Sequence, residues 1–186
     1  MIWYIHIGDY MKQVFLNEKT IIKYLNILNE EMKKNNLYGD INLVGGAVMC
    51  LVSKSRNVTK DIDAVFEPKM KMYNLIEKIA QNNNLSKDWL NDSVKGYLSP
   101  VADFAEYTKL SNLNVNVATP EYMLAMKCLS ARSDNTNEKE DIKYLIKFLN
   151  LKKYEDVEKI ITKYYPADAF FVKTKYIIME VLENET

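Results

Sequence analysis

Apolar residues recur at helical spacing over residues 18–36, where Ile21, Leu25, Leu28 and Met32 form one stripe and charge occupies the other face. Asn35, Asn36 and Gly39 punctuate the end of that helix. Ile41-Asn42-Leu43-Val44 reads as a short strand, followed at once by Gly45-Gly46 and a helix from Ala47 to Lys54. A second strand, Asp61-Ile62-Asp63-Ala64-Val65-Phe66, is stopped by Pro68. Residues 69–82 give another helix, with Met72, Leu75, Ile76 and Ile79 on one stripe. The stretch 84–112 is the least legible, with Trp89, Gly96 and Pro100 marking turns or short elements. Leu113 to Ala118 then alternates Leu/Val with Asn, as a half-buried strand does. Thr119-Pro120-Glu121 supplies a capping hydroxyl, a proline for the first helical position and an acid for the first turn, and the helix it opens runs to about Arg132. Ser133 to Asn137 form a loop, and a helix from about Glu138 to Leu149 buries Ile142, Leu145, Ile146 and Leu149. Two more helical patterns follow from Tyr154, broken at Tyr164-Tyr165-Pro166. The expected class is α+β: a small mixed β-sheet flanked by helices over residues 1–118, then a helical C-terminal region over 119–186 packed on that core.

Composition narrows the function. The 186 residues are 48% hydrophobic and 27% charged, which suits one folded domain or one domain with an appendage and excludes a disordered chain. Lys+Arg and Asp+Glu are both 25, so no global positive field draws nucleic acid or an anionic membrane. The single histidine, His6, argues against histidine-rich zinc sites and makes a Ser-His-Asp triad improbable. Five glycines form neither a dinucleotide fingerprint nor a Walker loop. Cys50 and Cys128 stand far apart without metal-ligand spacing, which points to reduced thiols in a cytoplasmic protein. No run of about 18 apolar residues is present, so no membrane span is expected. The first ten residues are apolar and aromatic but lack a basic n-region and a cleavage site. Two readings stay open for them: an edge strand, or an extension upstream of a start at Met11.

The most informative object couples Gly45-Gly46 to Asp61-Ile62-Asp63. Adjacent glycines between a strand and a helix permit a sharp turn and the close approach of a ligand to backbone amides, and a helix N-terminus offers free N–H groups to phosphate. The plain alternative is a tight turn needing positive φ. Asp61 and Asp63, two apart on a strand, face one side with Cα atoms about 6–7 Å apart. Carboxylates so placed repel unless a cation lies between them, and Mg²⁺ takes one or two carboxylates plus substrate phosphates. A solvent-facing acidic strand surface is the alternative.

The passage Val44-Gly45-Gly46-Ala47 through Arg56, Thr59, Lys60 and Asp61-Ile62-Asp63 resembles the first two motifs of the polymerase-β-type nucleotidyltransferase superfamily. The helix Met123 to Arg132, followed by Glu140-Asp141-Ile142, is similar to the AbiEii-type branch known from abortive-infection and toxin–antitoxin systems. Together the matched segments cover roughly 41–66 and 113–150. The resemblance implies that Asp61 and Asp63 hold Mg²⁺, and that Gly45 and Gly46, with Thr59 and Lys60 in the same motif, approach the nucleotide. It further implies that Lys127 contacts the phosphates, and that Asp141 acts near the acceptor or orients Lys127. Each has a structural alternative: Lys127 snorkelling from an apolar helix, Asp141 favoured by the dipole of a first turn, Asn137 with Glu140 as a capping-box variant. Arg132 is read as structural or as a salt-bridge partner of the acidic loop.

One departure matters. Members of the superfamily generally add a third carboxylate on a later strand, and the candidate strand Leu113–Val117 offers Asn114 and Asn116 instead. An amide is a weaker magnesium ligand and no general base. Asp103 is the nearest spare acid. Three readings follow. The first is an enzyme moving a nucleoside monophosphate from a Mg²⁺-bound NTP to a hydroxyl of RNA (such as tRNA), a protein or a small molecule, with a cognate antitoxin or other partner protein. The second is a nucleotidyltransferase-fold binding or regulatory protein without turnover. The third is a helical interaction module built on Tyr164, Tyr165, Phe170 and Phe171, whose aromatics read more readily as core.

Overall fold

A computed structural model of the chain describes residues 14–131, 136–170 and 172–183. The first ten residues, Arg132 and Phe171 lie outside the described residues, and so do the expectations attached to them.

Helix α1 (Glu18–Lys34) starts where Asn17 accepts from the Thr20 amide and Thr20 Oγ1 accepts in return from the Asn17 amide, at 2.9 and 2.7 Å. Strand β1 (Gly39–Leu43) runs into the one-turn helix α2 (Gly45–Val48) and a wide π-helical turn, Met49–Ser53. Then come β2 (Ile62–Glu67), α3 (Lys69–Asn83), the two-residue β3 (Leu90–Asn91) and a 3₁₀ turn, Ser93–Tyr97. Strands β4 (Phe104–Lys109) and β5 (Leu113–Ala118) precede helices α4 (Pro120–Ser130), α5 (Thr136–Phe148), α6 (Tyr154–Tyr164) and α7 (Val172–Glu183).

The five strands form one mixed sheet in the order β3-β2-β1-β5-β4. β1 pairs antiparallel with β2 and parallel with β5, while β2 takes β3 in parallel and β5 takes β4 antiparallel. Alternation along the strands gives the sheet two unlike faces. Ile41, Leu43, Ile62, Ala64, Phe66, Val115 and Val117 are buried on one face, against which α1 and α3 pack. Asp63, Val65, Asn42 and Asn116 project from the other. The fold is mixed α+β, with the helical region α4–α7 following the last strand.

Buried tyrosines tie that helical region to the connection between β3 and β4. The Ser99 amide donates to Tyr122 Oη at 3.0 Å, Ser99 Oγ donates to the Tyr164 carbonyl at 2.6 Å, and Tyr165 Oη donates to the Tyr97 carbonyl at 2.7 Å. Tyr164 and Tyr165 are buried and Phe170 packs edge-on against Tyr165, so these aromatics belong to the core. Among the described residues no helix is long and apolar enough to cross a membrane. Cys50 and Cys128 are free and buried, and burial pushes the Cys128 thiol up to about 12.

Four sequence expectations need correction. The helix over Ala47 to Lys54 is instead one α turn from Gly45 that widens into the π turn and ends at Lys54 in the left-handed region, φ 51°. Asp61 stands just before β2 rather than on it. Asn137 lies inside α5 rather than at its cap, so it forms no capping box with Glu140, and Asp141 sits in the second turn.

Candidate functional site

The turn after β1 is shaped by what faces it. Gly45 has φ +65°, and a Cβ placed there would lie 3.0 Å from Asp63 Oδ2. A Cβ on Gly46 would overlap Thr59 Oγ1 and lie 3.5 Å from Arg56 Nη1. Thr59 is itself fixed by a two-way backbone bridge to Leu16, at 2.7 and 2.8 Å. The two glycines therefore let Asp63, Thr59 and Arg56 close onto the backbone of the turn.

Asp61 and Asp63 both line one cavity of about 550 Å³, together with Gly45, Gly46, Arg56, Thr59, Lys60 and Lys127. The sequence-derived residues are thus brought to a common space, with the exception of Asp141, which lies behind it. Burial pushes the Asp63 carboxyl up and nearby Asp61 adds to this, while Lys127 and hydrogen bonding from Asn91 and Ser93 oppose it. Burial likewise raises Asp61; Lys60 opposes the shift and Asp88 reinforces it. Two partly desolvated carboxylates that repel each other make a donor pair suited to a hard divalent cation.

Asp141, only 2% exposed, holds two cations at once. Arg56 Nε donates to Oδ1 at 2.7 Å and Nη2 to Oδ2 at 2.6 Å, a bidentate fork. Lys127 Nζ reaches the same Oδ2 at 2.7 Å. Arg56 Nη2 also donates to the Asn137 carbonyl at 3.2 Å. Asp141 thereby holds the Lys127 ammonium and the Arg56 guanidinium beside each other. Arg56 emerges as a site residue that the sequence reading carried only as part of a motif. The signal was present: Arg56 and Arg132 are the only arginines among 25 basic residues, and arginine is the side chain that matches a carboxylate bidentately.

The strand expected to carry a third acid is not the one beside the pair. β5 is separated from β2 by β1, and its Asn114 and Asn116 amides donate to Asp40 and Asn42, each at 2.8 Å. Asp103 is engaged at the start of α4, where Thr119 Oγ1 and Tyr164 Oη approach it at 3.3 and 3.4 Å. The residue in register with Asp63 on a neighbouring strand is Asn91 of β3. Among the described residues no group of three or more metal-type side chains gathers.

A larger cavity of about 680 Å³ opens on the other side of Asp61. Asp61, Glu77, Asp88 and Asp92 line it against a single cation, Lys87, so its charge is wrong for a polyanion. Asp92 anchors the 3₁₀ turn through Lys69 at 2.7 Å and Lys95 at 3.4 Å. Hydrogen bonding from Lys69, then from Tyr73, lowers its carboxyl to about 2. A depressed acid stabilises the fold above its unfolded value of 3.8, and that contribution is lost as pH falls through about 2. Urea unfolding from pH 6 down to 2 should show Asp92→Asn less stable than wild type at the upper end, with the gap closing at the lower end.

No family model, curated protein or solved structure matches the chain.

Proposed function

We propose that the protein is a nucleotidyltransferase of the polymerase-β type, transferring a nucleoside monophosphate from an NTP to a hydroxyl acceptor. One observation carries this reading: Asp61 and Asp63, the Gly45-Gly46 turn and Lys127 line a single cavity. Asp61 and Asp63 would hold Mg²⁺, which when bound offsets negative charge on the phosphates. The donor set fits, being two oxygen ligands with room beside them for substrate oxygens. Gly45 and Gly46 let phosphate approach the backbone, and Lys127 and Arg56 supply positive charge from fixed positions set by Asp141. The acceptor hydroxyl oxygen bonds to the α-phosphorus and gives up its proton to solvent, as the bond to the bridging oxygen breaks and pyrophosphate leaves. The chain's contribution is orientation and charge stabilisation, which needs no histidine.

The acceptor class is RNA, a protein side chain or a small molecule, and a toxin–antitoxin setting with a partner protein belongs to the same reading. The buried free thiols suit a cytoplasmic location. A second reading, nucleotide binding without turnover, is favoured by one observation: a neutral Asn91 stands in register with Asp63.

The test is incubation with each labelled NTP, Mg²⁺ and total cellular RNA or protein, comparing wild type with the double variant Asp61→Ala/Asp63→Ala. Transfer seen only with wild type is the expected result. No transfer from any of the four NTPs, with Mg²⁺-dependent NTP binding intact, would replace the enzyme by the binding protein. No binding of any NTP would end both readings.

A further inference from the structure

The last helix has two apolar faces. Thr174, Ile177, Ile178 and Val181 of α7 are buried. On the other side Val172, Tyr176 and Met179 are 73%, 67% and 39% exposed, and their i, i+4, i+7 spacing sets them in one stripe. Single apolar residues are ordinary on a protein surface, but a row of them along one helix face marks a place where another molecule packs. The charges along the helix say which molecule. α1, α4, α5 and α6 each place an acid in the first turn and a base in the last, as the helix dipole favours, and α7 does neither. Its sequence runs the other way, with Lys173 and Lys175 in the first half and Glu180 and Glu183 in the second. That order opposes the dipole of α7 itself, yet it suits a second α7 running antiparallel, where each lysine half meets a glutamate half. We propose that α7 is the contact helix of a two-fold symmetric homodimer, in which two copies pack antiparallel through Val172, Tyr176 and Met179.

The pairing has a natural register. With the two-fold axis level with the Ile177–Ile178 peptide, Tyr176 of each copy meets Met179 of the partner subunit, a thioether against an aromatic ring. The charges stay at the surface to be shared. Lys139 Nζ meets Glu180 at 3.0 Å, but Glu180 is 58% exposed, and Lys175 Nζ stands 5.1 Å from the centre of the Tyr154 ring at an exposed position. The contact is one face of a 12-residue helix, a small interface, so the dimer is weak and forms on the order of micromolar concentrations.

Sedimentation equilibrium of the full chain, at protein concentrations from about 1 to 300 μM, tests the proposal. Wild type should pass from monomer to dimer across that range. Tyr176→Glu and Val172→Glu, both at exposed positions, should each raise the dissociation constant by about tenfold or more while circular dichroism stays that of wild type. Glu180→Lys/Glu183→Lys should also weaken the dimer, and adding Lys173→Glu/Lys175→Glu to it should restore association, a rescue that a merely structural effect would not give. A wild type that stays monomeric throughout, whether residues 1–13 or solvent covers the stripe, would overturn the proposal. So would a dimer that neither glutamate variant weakens, and failure of the charge reversal to rescue would overturn the antiparallel arrangement.

Discussion

Asp63→Asn should abolish the proposed nucleotide transfer, by about a thousandfold or more, while leaving the folded protein at least as stable as wild type. The two effects have one origin. Asp63 lies partly desolvated beside Asp61 and against the Gly45 turn, and burial raises its carboxyl. In the absence of a cation, the ionised form is therefore a cost to the folded state. For an acid whose folded-state value is raised, that cost is present above the raised value and fades as the pH drops through it. Asparagine keeps the shape, removes the charge and removes the proposed Mg²⁺ ligand. Urea denaturation at neutral pH without Mg²⁺ should show the variant equal to or above wild type, with the difference shrinking as the solution is acidified. Label transfer under the same buffer with Mg²⁺ measures the other half. Retained transfer would remove Asp63 from the proposed chemistry.

The second large effect is on stability. Asp141→Ala should destabilise the protein by about 3–5 kcal/mol, because it strands two cations that share one buried carboxylate. Side-chain exposure is 22% for Arg56 and 12% for Lys127, so neither is free to recover its hydration without moving. Asp141→Asn should cost less, since the amide oxygen still accepts a hydrogen bond. A double-mutant cycle with Lys127→Met, read by urea denaturation, should show strong coupling, the second substitution relieving part of the first. Additive losses would mean that the cations are held by something other than Asp141.

Where the sequence was legible, a periodic signal had a buried face behind it. Ile41 and Leu43, Ile62 and Ala64, and Val115 and Val117 alternate because one face of the sheet is covered by α1 and α3. The start of α4 was legible because Thr119 caps the Tyr122 amide and Pro120 takes the first helical position. The stretch from 84 to 112 was opaque for physical reasons. β4 is an edge strand, and Phe104–Lys109 is at most partly buried throughout, so no alternation is imposed on it. β3 has two residues and exists through its pairing with Ile62 and Asp63, a contact no local pattern announces. The sequence points to β5 for a third carboxylate, while the strand residue in register with Asp63 is Asn91 of β3.

The site residues followed a similar rule. Gly45, Gly46, Asp61 and Asp63 are close in sequence and could be read as a motif, and the structure sets them on one cavity. Arg56 and Asp141 are 85 positions apart, and nothing local in either segment fixes their pairing.

The three-way grip of Asp141 on Arg56 and Lys127 has an evolutionary corollary. One acid binds a cation from the sheet half and another from the helical half, so loss of any member leaves the others mismatched. In related chains the three positions should vary as a block, and hybrids that graft foreign C-terminal helices onto this sheet should fail unless the graft brings its own matching lysine and acid.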